Sequence, residues 1–244
     1  MNTSAALPFR RLVIDAGISV QLPQAGSVVV LVPHPDDEVL GCGLLIARLV
    51  RAGVRVVVIA LTDGDASHPG SVRWPPAGLA AVRRAEMRRA LQRLGAGQAE
   101  LYFMGWHDGC VGIEARPLRI AALCHARGAG LILAASADDH HPDHQACFAI
   151  GGGIARRLRL PLVSYAVWSR LSNRSVRCLA DRHRAAKSWA MAAHRSQISS
   201  YIEDAPQGFR LAEPALRQFI REPERYSPAI KQVVKRPHQS GEPK

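Results

Sequence analysis

Lysine is nearly missing from this chain. Only Lys187, Lys231, Lys235 and Lys244 stand among 32 basic residues, and the others are arginines. Aromatic residues are also few, at 5%. Proteins that grip nucleic acid interleave cations with stacking aromatics or carry a known module, and neither pattern is found, so no nucleic-acid partner is expected. Most of the arginine surplus behind the net charge of +12 reads as solvated helix surface, and the remainder leaves room for an anionic small-molecule substrate. Cysteine is scarce too. Cys42, Cys110, Cys124, Cys147 and Cys178 are odd in number and form no C-x-x-C pair, which argues against a disulfide framework and for a reducing compartment. No run approaches the roughly 18 apolar residues that cross a bilayer, and residues 1–20 lack the apolar centre of a secretory signal. These absences lead to the expectation of a cytoplasmic chain without a transmembrane segment; a homo-oligomer is compatible with all of them.

What is present suits a globular enzyme. The 244 residues, 48% of them hydrophobic, fit one domain over 1–244, with a core at about 27–200 and a polar tail at about 231–244. Apolar runs rich in β-branched residues predict strands at 27–33, 54–61, 100–104, 131–134 and 162–168, with a sixth candidate at 176–179. Helical patterns over 38–52, 78–94, 117–126, 142–158 and 182–195 separate them. Unbroken apolar strands alternating with helices imply a largely parallel sheet covered on both faces. The expected class is α/β, a Rossmann-like three-layer αβα fold.

The ionisable residues divide by the strand end they follow. Helix-to-strand returns carry glycines: Gly53, Gly95, Gly97, Gly128 and Gly130. Strand-to-helix exits carry His34, Asp36 and Asp37, then Asp63, Asp65 and His68, then His107 and Asp108, then residues 138–144. Open α/β sheets bind ligands outside the carboxyl ends of their strands, so four loaded exits locate a site.

Two exits hold metal-type motifs: Pro33-His34-Pro35-Asp36-Asp37-Glu38 and His141-Pro142-Asp143-His144. Imidazole and carboxylate are the usual ligands of a catalytic zinc, which takes three protein ligands and keeps a position for water. His34 and Asp37 lie three apart across a tight turn, and His144 is the natural third ligand from the other strand end. Helix capping explains an acid in each motif, but not three histidines.

Together the two motifs resemble the zinc-dependent de-N-acetylases of the LmbE/PIG-L family, over about residues 28–197, with Leu61-Thr62-Asp63-Gly64 and the R-x-x-E of Arg83 and Glu86 adding to the likeness. The resemblance implies a hydrolase that removes an N-acetyl or N-acyl group from a small amino-sugar conjugate. It implies Zn(2+) held by His34, Asp37 and His144, with Asp36 as the general base for the zinc-bound water. It also implies that His141 stabilises the oxyanion or protonates the leaving amine. Asp143 is expected to cap its helix or orient a histidine rather than bind metal.

On the second helix, Arg83 and Glu86 fall on the apolar stripe of Leu79, Val82, Met87, Ala90 and Leu94, whereas Arg84 and Arg88 point outward. A charge on a buried face needs a partner or a task. An intrahelical Arg83–Glu86 pair and a contact of Arg83 with substrate both satisfy that need, and the resemblance favours the second. Asp63 is a candidate to hold substrate from its strand exit. Trp74, beside Pro75 and Pro76, either walls a sugar pocket or packs, and Arg73 and Arg83 are candidates to attract an anion. His68, His107 and His194 receive no role. Alternatives are a metal-dependent hydrolase of another amide or of a phosphoester, and a basic metal-binding protein without turnover.

Overall fold

The computed structural model describes residues 9–15, 18–169, 176–178 and 183–230. The expected tail at 231–244 lies outside them. The chain opens with β1 (Phe9–Asp15) and β2 (Ile18–Pro23), an antiparallel hairpin. There follow β3 (Ser27–Val32), α1 (Asp37–Arg51), β4 (Arg55–Thr62), α2 (Pro76–Arg93), β5 (Glu100–Trp106), α3 (Val111–Glu114), α4 (Pro117–Ala126), β6 (Ala129–Ala135) and α5 (Pro142–Leu158). The last third holds β7 (Leu162–Tyr165), β8 (Val176–Cys178), α6 (Arg184–Met191), α7 (Arg195–Ile198), α8 (Glu213–Arg221) and β9 (Glu224–Ile230).

The main sheet runs β5-β4-β3-β6-β7-β9-β8, parallel from β5 to β7, with β9 antiparallel to both β7 and β8. It is thus an α/β fold with a mostly parallel sheet. β3 is buried along its whole length, and β4 along all but its first residue. That is why these strands read as continuous apolar runs rather than alternating ones. Helices α1, α2 and α6 form one packed group and α3, α4 and α5 another. From β3 the chain winds outward to β4 and β5, then crosses to β6 on the other side of β3. The crevice between the carboxyl ends of β3 and β6 is therefore the topological switch point. The two histidine motifs leave the sheet there, from β3 and from β6.

The sheet reaches beyond the core boundary expected at about 200, because β9 is one of its strands. Glu224, at the start of β9, ties the site's first helix to the sheet. Helix α1 is broken at Cys42 (φ −144°, ψ 20°). The amides of Leu44 and Leu45 beyond the break donate to the two Glu224 carboxylate oxygens at 2.7 and 3.1 Å. Before the break, the Leu40 carbonyl accepts from Lys187 Nζ at 2.9 Å, and Lys187 also pairs with Glu224 at 2.8 Å. The buried pair thus satisfies both halves of an interrupted helix. A Cβ at Gly41 would stand 2.4 Å from the Tyr165 ring, so the break also needs glycine for close packing. No helix of the described residues is long and apolar enough to cross a membrane.

Candidate metal and active site

The first motif turns sharply between β3 and α1. Asp36 is the N-cap of α1 at φ 146°, a left-handed conformation that costs a non-glycine residue about 1–3 kcal/mol. Its surroundings hold it there. The Asp36 amide donates to Glu38 Oε2 at 2.9 Å, and its carbonyl accepts from the amides of Val39 and Leu40. Arg83, buried on α2, donates to the Pro35 carbonyl at 2.8 Å and the Gly64 carbonyl at 2.9 Å, and its Nη2 lies 3.2 Å from Asp36 Oδ2. Gly64 has to be glycine at this point: its φ is +66°, and a Cβ would fall 1.9 Å from the Arg83 guanidinium.

Asp37 Oδ2 sits between two imidazoles, 3.2 Å from His34 Nδ1 and 3.3 Å from His144 Nε2. Two atoms bound about 2.0–2.1 Å from one tetrahedral zinc stand about 3.3–3.4 Å apart, so these two spacings, each to Asp37, suit such a site. The opposite nitrogen of each ring is held by a buried acid. His34 Nε2 lies 3.2 Å from Asp143 Oδ2 and 3.1 Å from Asp108 Oδ1, and His144 Nδ1 lies 2.8 Å from Asp139 Oδ2. Metal-binding histidines are oriented in this way, one nitrogen to the ion and the other to a carboxylate. His34, His141 and His144 also place ring nitrogens within 4.8 Å of one another. A second such group is His34, Asp108 and Asp143; Asp37 belongs to neither group but lies against both His34 and His144, whereas His141 is half-buried and its Nδ1 accepts from the Asp143 amide at 3.2 Å.

The electrostatics fit a cation. Burial alone would lower the His34 pKa, yet Asp108, Asp143 and Asp37 hold it well above the usual histidine range. Burial likewise opposes the charge on His144, but Asp37 and Asp139 raise it to about 9. Asp37 is held far below the usual carboxylate range, since the attraction of His144 and His34 outweighs its burial. The acids thus stabilise positive charge on the two imidazoles, and a metal ion in place of their protons would be stabilised in the same way. Asp36 moves in the opposite direction. Burial and the neighbouring Asp37 raise it to about 6, against the pull of Arg83. His141 is lowered by burial and by the positive His34 and His144, so it is neutral near pH 7.

These groups line a cavity of about 540 Å³ walled by Ser67, Gln197, Gln207, Trp168 and Phe209. Every expected ligand, together with Asp36, His141 and Arg83, faces it. Asp143 lies behind His34, accepting also from the amides of Gly109 and Val111 at 2.7 and 3.1 Å, in keeping with an orienting role. The alternative of an intrahelical Arg83–Glu86 pair is not formed: Arg83 turns to the β3 exit and Glu86 accepts from the amide and hydroxyl of Ser196 at 2.8 and 2.6 Å. Asp63 does not line the cavity; its carboxylate is taken by Arg84, with Nε at 2.7 Å and Nη2 in contact. Trp74 packs on Tyr201 at 5.3 Å, away from the cavity. Arg73 is solvent-exposed and Arg83 is tied to the chain itself, so the lining adds no support for an anionic substrate.

Residues 29–154, more than half of the chain, match the PIG-L family, described as GlcNAc-PI de-N-acetylase. The chain belongs to this family. It is 29% identical over 86 residues to an uncharacterized deacetylase, YaiS, of Escherichia coli, covering 35% of this chain and 42% of that one. It is 33% identical over 78 residues to a 1D-myo-inositol 2-acetamido-2-deoxy-alpha-D-glucopyranoside deacetylase of Kineococcus radiotolerans, covering 31% and 22%. The match thus spans less than half the length of these curated relatives. Among solved structures, the N,N'-diacetylchitobiose deacetylase of Pyrococcus horikoshii superposes with a TM-score of 0.65 at 21% identity, over 84% of each chain. The 4-carboxy-2-hydroxymuconate hydratase of Pseudomonas putida KT2440 gives 0.67 at 15% identity, over 86% of this chain and 99% of that one. Structural likeness at such identities carries the fold and leaves the reaction to the site.

Several site residues received no role from the sequence. Asp139 is fully buried and accepts from the amides of Val167, Trp168 and Ser169 as well as facing His144, joining a metal-type histidine to the cavity wall. Asp108 contacts His34, and Glu38 supports the Asp36 backbone while facing the buried His194 at 3.2 Å. Of the histidines without an assigned role, His68 bonds Ser67 and His107 pairs with Glu114 at the surface.

Proposed function

We propose that this chain is a zinc-dependent N-deacetylase that hydrolyses the N-acetyl or N-acyl amide of an amino-sugar-containing substrate. The observation that carries the reading is Asp37 between His34 and His144, with Asp36 unengaged by either histidine at the same cavity. A zinc ion at His34, Asp37 and His144 supplies Lewis acidity to the amide carbonyl and acidifies water.

The remaining chemistry belongs to side chains. Asp36 accepts the proton of the attacking water; at a pKa of about 6 it is mostly ionised at neutral pH and still basic enough to take a proton. Arg83 keeps its carboxylate aimed while sharing its charge. His141, whose Nδ1 already accepts a backbone amide, carries its proton on Nε2 and donates a hydrogen bond from it to the carbonyl oxygen as negative charge grows there. Asp36 then returns its proton to the departing nitrogen. Water adds across the C–N bond, leaving one carboxylic acid and one amine, which exchange a proton to become carboxylate and ammonium at neutral pH.

The test is a panel of N-acetylated amines, with and without a sugar ring, incubated with zinc-supplemented protein and assayed for acetate and free amine. We expect equal amounts of both from N-acetylglucosaminyl conjugates. Release from none of the panel would overturn the reading.

A further inference from the structure

The edge of the sheet at β5 carries a surface that the chemistry above does not use. Among the described residues β5 pairs only with β4, so the outward N–H and C=O groups of its backbone have no strand to bond. Exposed edges of this kind are usually blunted by a lysine, a proline or an inward charge, and none occurs in Leu101–Trp106. A bulge at Met104 and Gly105, opposite Leu61, interrupts only the far end, and residues 100–103 keep a regular register. The side chains suit a contact surface. Leu101, Tyr102, Phe103, Met104 and Trp106 are each half-buried, and three of the chain's few aromatic residues fall among them. Aromatic residues, methionine and arginine are the types that protein interfaces concentrate.

Charge decides what can lie on this edge. Arg84 and Arg88, from α2, stand over the Phe103 ring at 5.2 and 5.1 Å, and Arg55 and Arg127 flank Glu100. Glu100 answers two guanidiniums with one carboxylate, and Asp63 engages Arg84. Arg88 meets no acid among the described residues, so the edge keeps a surplus of positive charge. A second copy laid antiparallel about Phe103 would set Arg84 and Arg88 against their own images, which like-charge repulsion opposes. An extended segment with acidic side chains meets both needs, since its backbone continues the ladder and its carboxylates pair with the guanidiniums. We infer that β5 is a docking edge for an extended acidic segment of a partner protein, which adds to the sheet with its carboxylates on Arg84 and Arg88. No residue of β5 lines the catalytic cavity, so the inference stands apart from the deacetylase reading.

The test is fluorescence anisotropy of a labelled seven-residue peptide, alternating glutamate and valine, titrated with the full chain. Saturable binding that weakens as salt rises is expected. The same peptide with its central amides N-methylated keeps its charge but cannot join a ladder, and it is expected to lose the binding. Arg88→Glu, at an exposed position, is expected to keep its fold by circular dichroism. It should weaken the unmodified peptide about 3- to 20-fold, one exposed attraction being lost and one repulsion gained. Hydrogen exchange on the same samples reads the outward amides of β5, which are expected to exchange freely alone and slowly with peptide. Absence of binding by the unmodified peptide, equal binding by its N-methylated form, or equal affinity of wild type and Arg88→Glu would overturn the inference. Protection of those amides in the free chain that fades on dilution would also overturn it, because a second copy would then hold the edge.

Discussion

Asp36→Asn is expected to lower kcat by about 10² to 10⁴, the usual loss when a general base is removed, while the protein keeps its metal. Asparagine is the informative replacement because it is nearly isosteric and, like aspartate, tolerates positive φ, so the turn at φ 146° survives. The amide can still face Arg83 but cannot take a proton from water. Because the metal-type histidines contact Asp37 rather than Asp36, the bound-metal stoichiometry is expected to match wild type. Elemental analysis beside steady-state kinetics checks both halves. A variant that loses its metal would make Asp36 the ligand and exchange the roles of the two adjacent acids.

The second large effect separates His141 from His144. His144 is buried, with Asp37 at one nitrogen and Asp139 at the other, so His144→Ala removes one of the three proposed ligands and is expected to lower metal affinity steeply. His141 stands in the loop before α5, its Nδ1 occupied by the Asp143 amide and its ring at the cavity. His141→Ala is expected to retain metal and to lower kcat and kcat/KM together by about 10² to 10³, the cost of losing one oxyanion donor. Metal titrations and kinetics on the two variants distinguish the residues. A metal-free His141→Ala with a metal-replete His144→Ala would mean that the two have exchanged places, whereas loss of metal from both variants would mean that the ligand set is the three histidines.

Much of this site is legible in the sequence because each layer of the argument reads a different physical constraint. Doubly covered strands must be apolar throughout, so β3, β4 and β6 stand out, and chemistry gathers at their exits. The inward stripe of α2 placed Arg83 and Glu86 in the interior, where the structure has both. Their partners could not be read. Periodicity reports which face a residue takes, whereas Arg83 meets a loop 48 residues earlier and Glu86 a serine 110 residues later. Asp139 was hidden for a related reason. It neighbours Asp138 in an acidic turn, and only the turn's path leaves Asp138 exposed and Asp139 buried on His144. The strand β9 contains Pro228, which argues against a strand interior, and it joins the sheet by antiparallel pairing to the short β7 and β8. The pattern over 182–195 reads as one helix, but α6 ends at Met191 and α7 begins at Arg195, and this break turns His194 towards Glu38.

The central claim is that amide hydrolysis depends on a metal held by His34, Asp37 and His144. Its most direct test is acetate and amine release from an N-acetylglucosaminyl conjugate by protein stripped with chelator, checked for residual metal, and titrated with zinc. The account predicts no release from the stripped protein and a return of activity that saturates at one zinc per chain. Full activity in protein verified to be free of metal would contradict it.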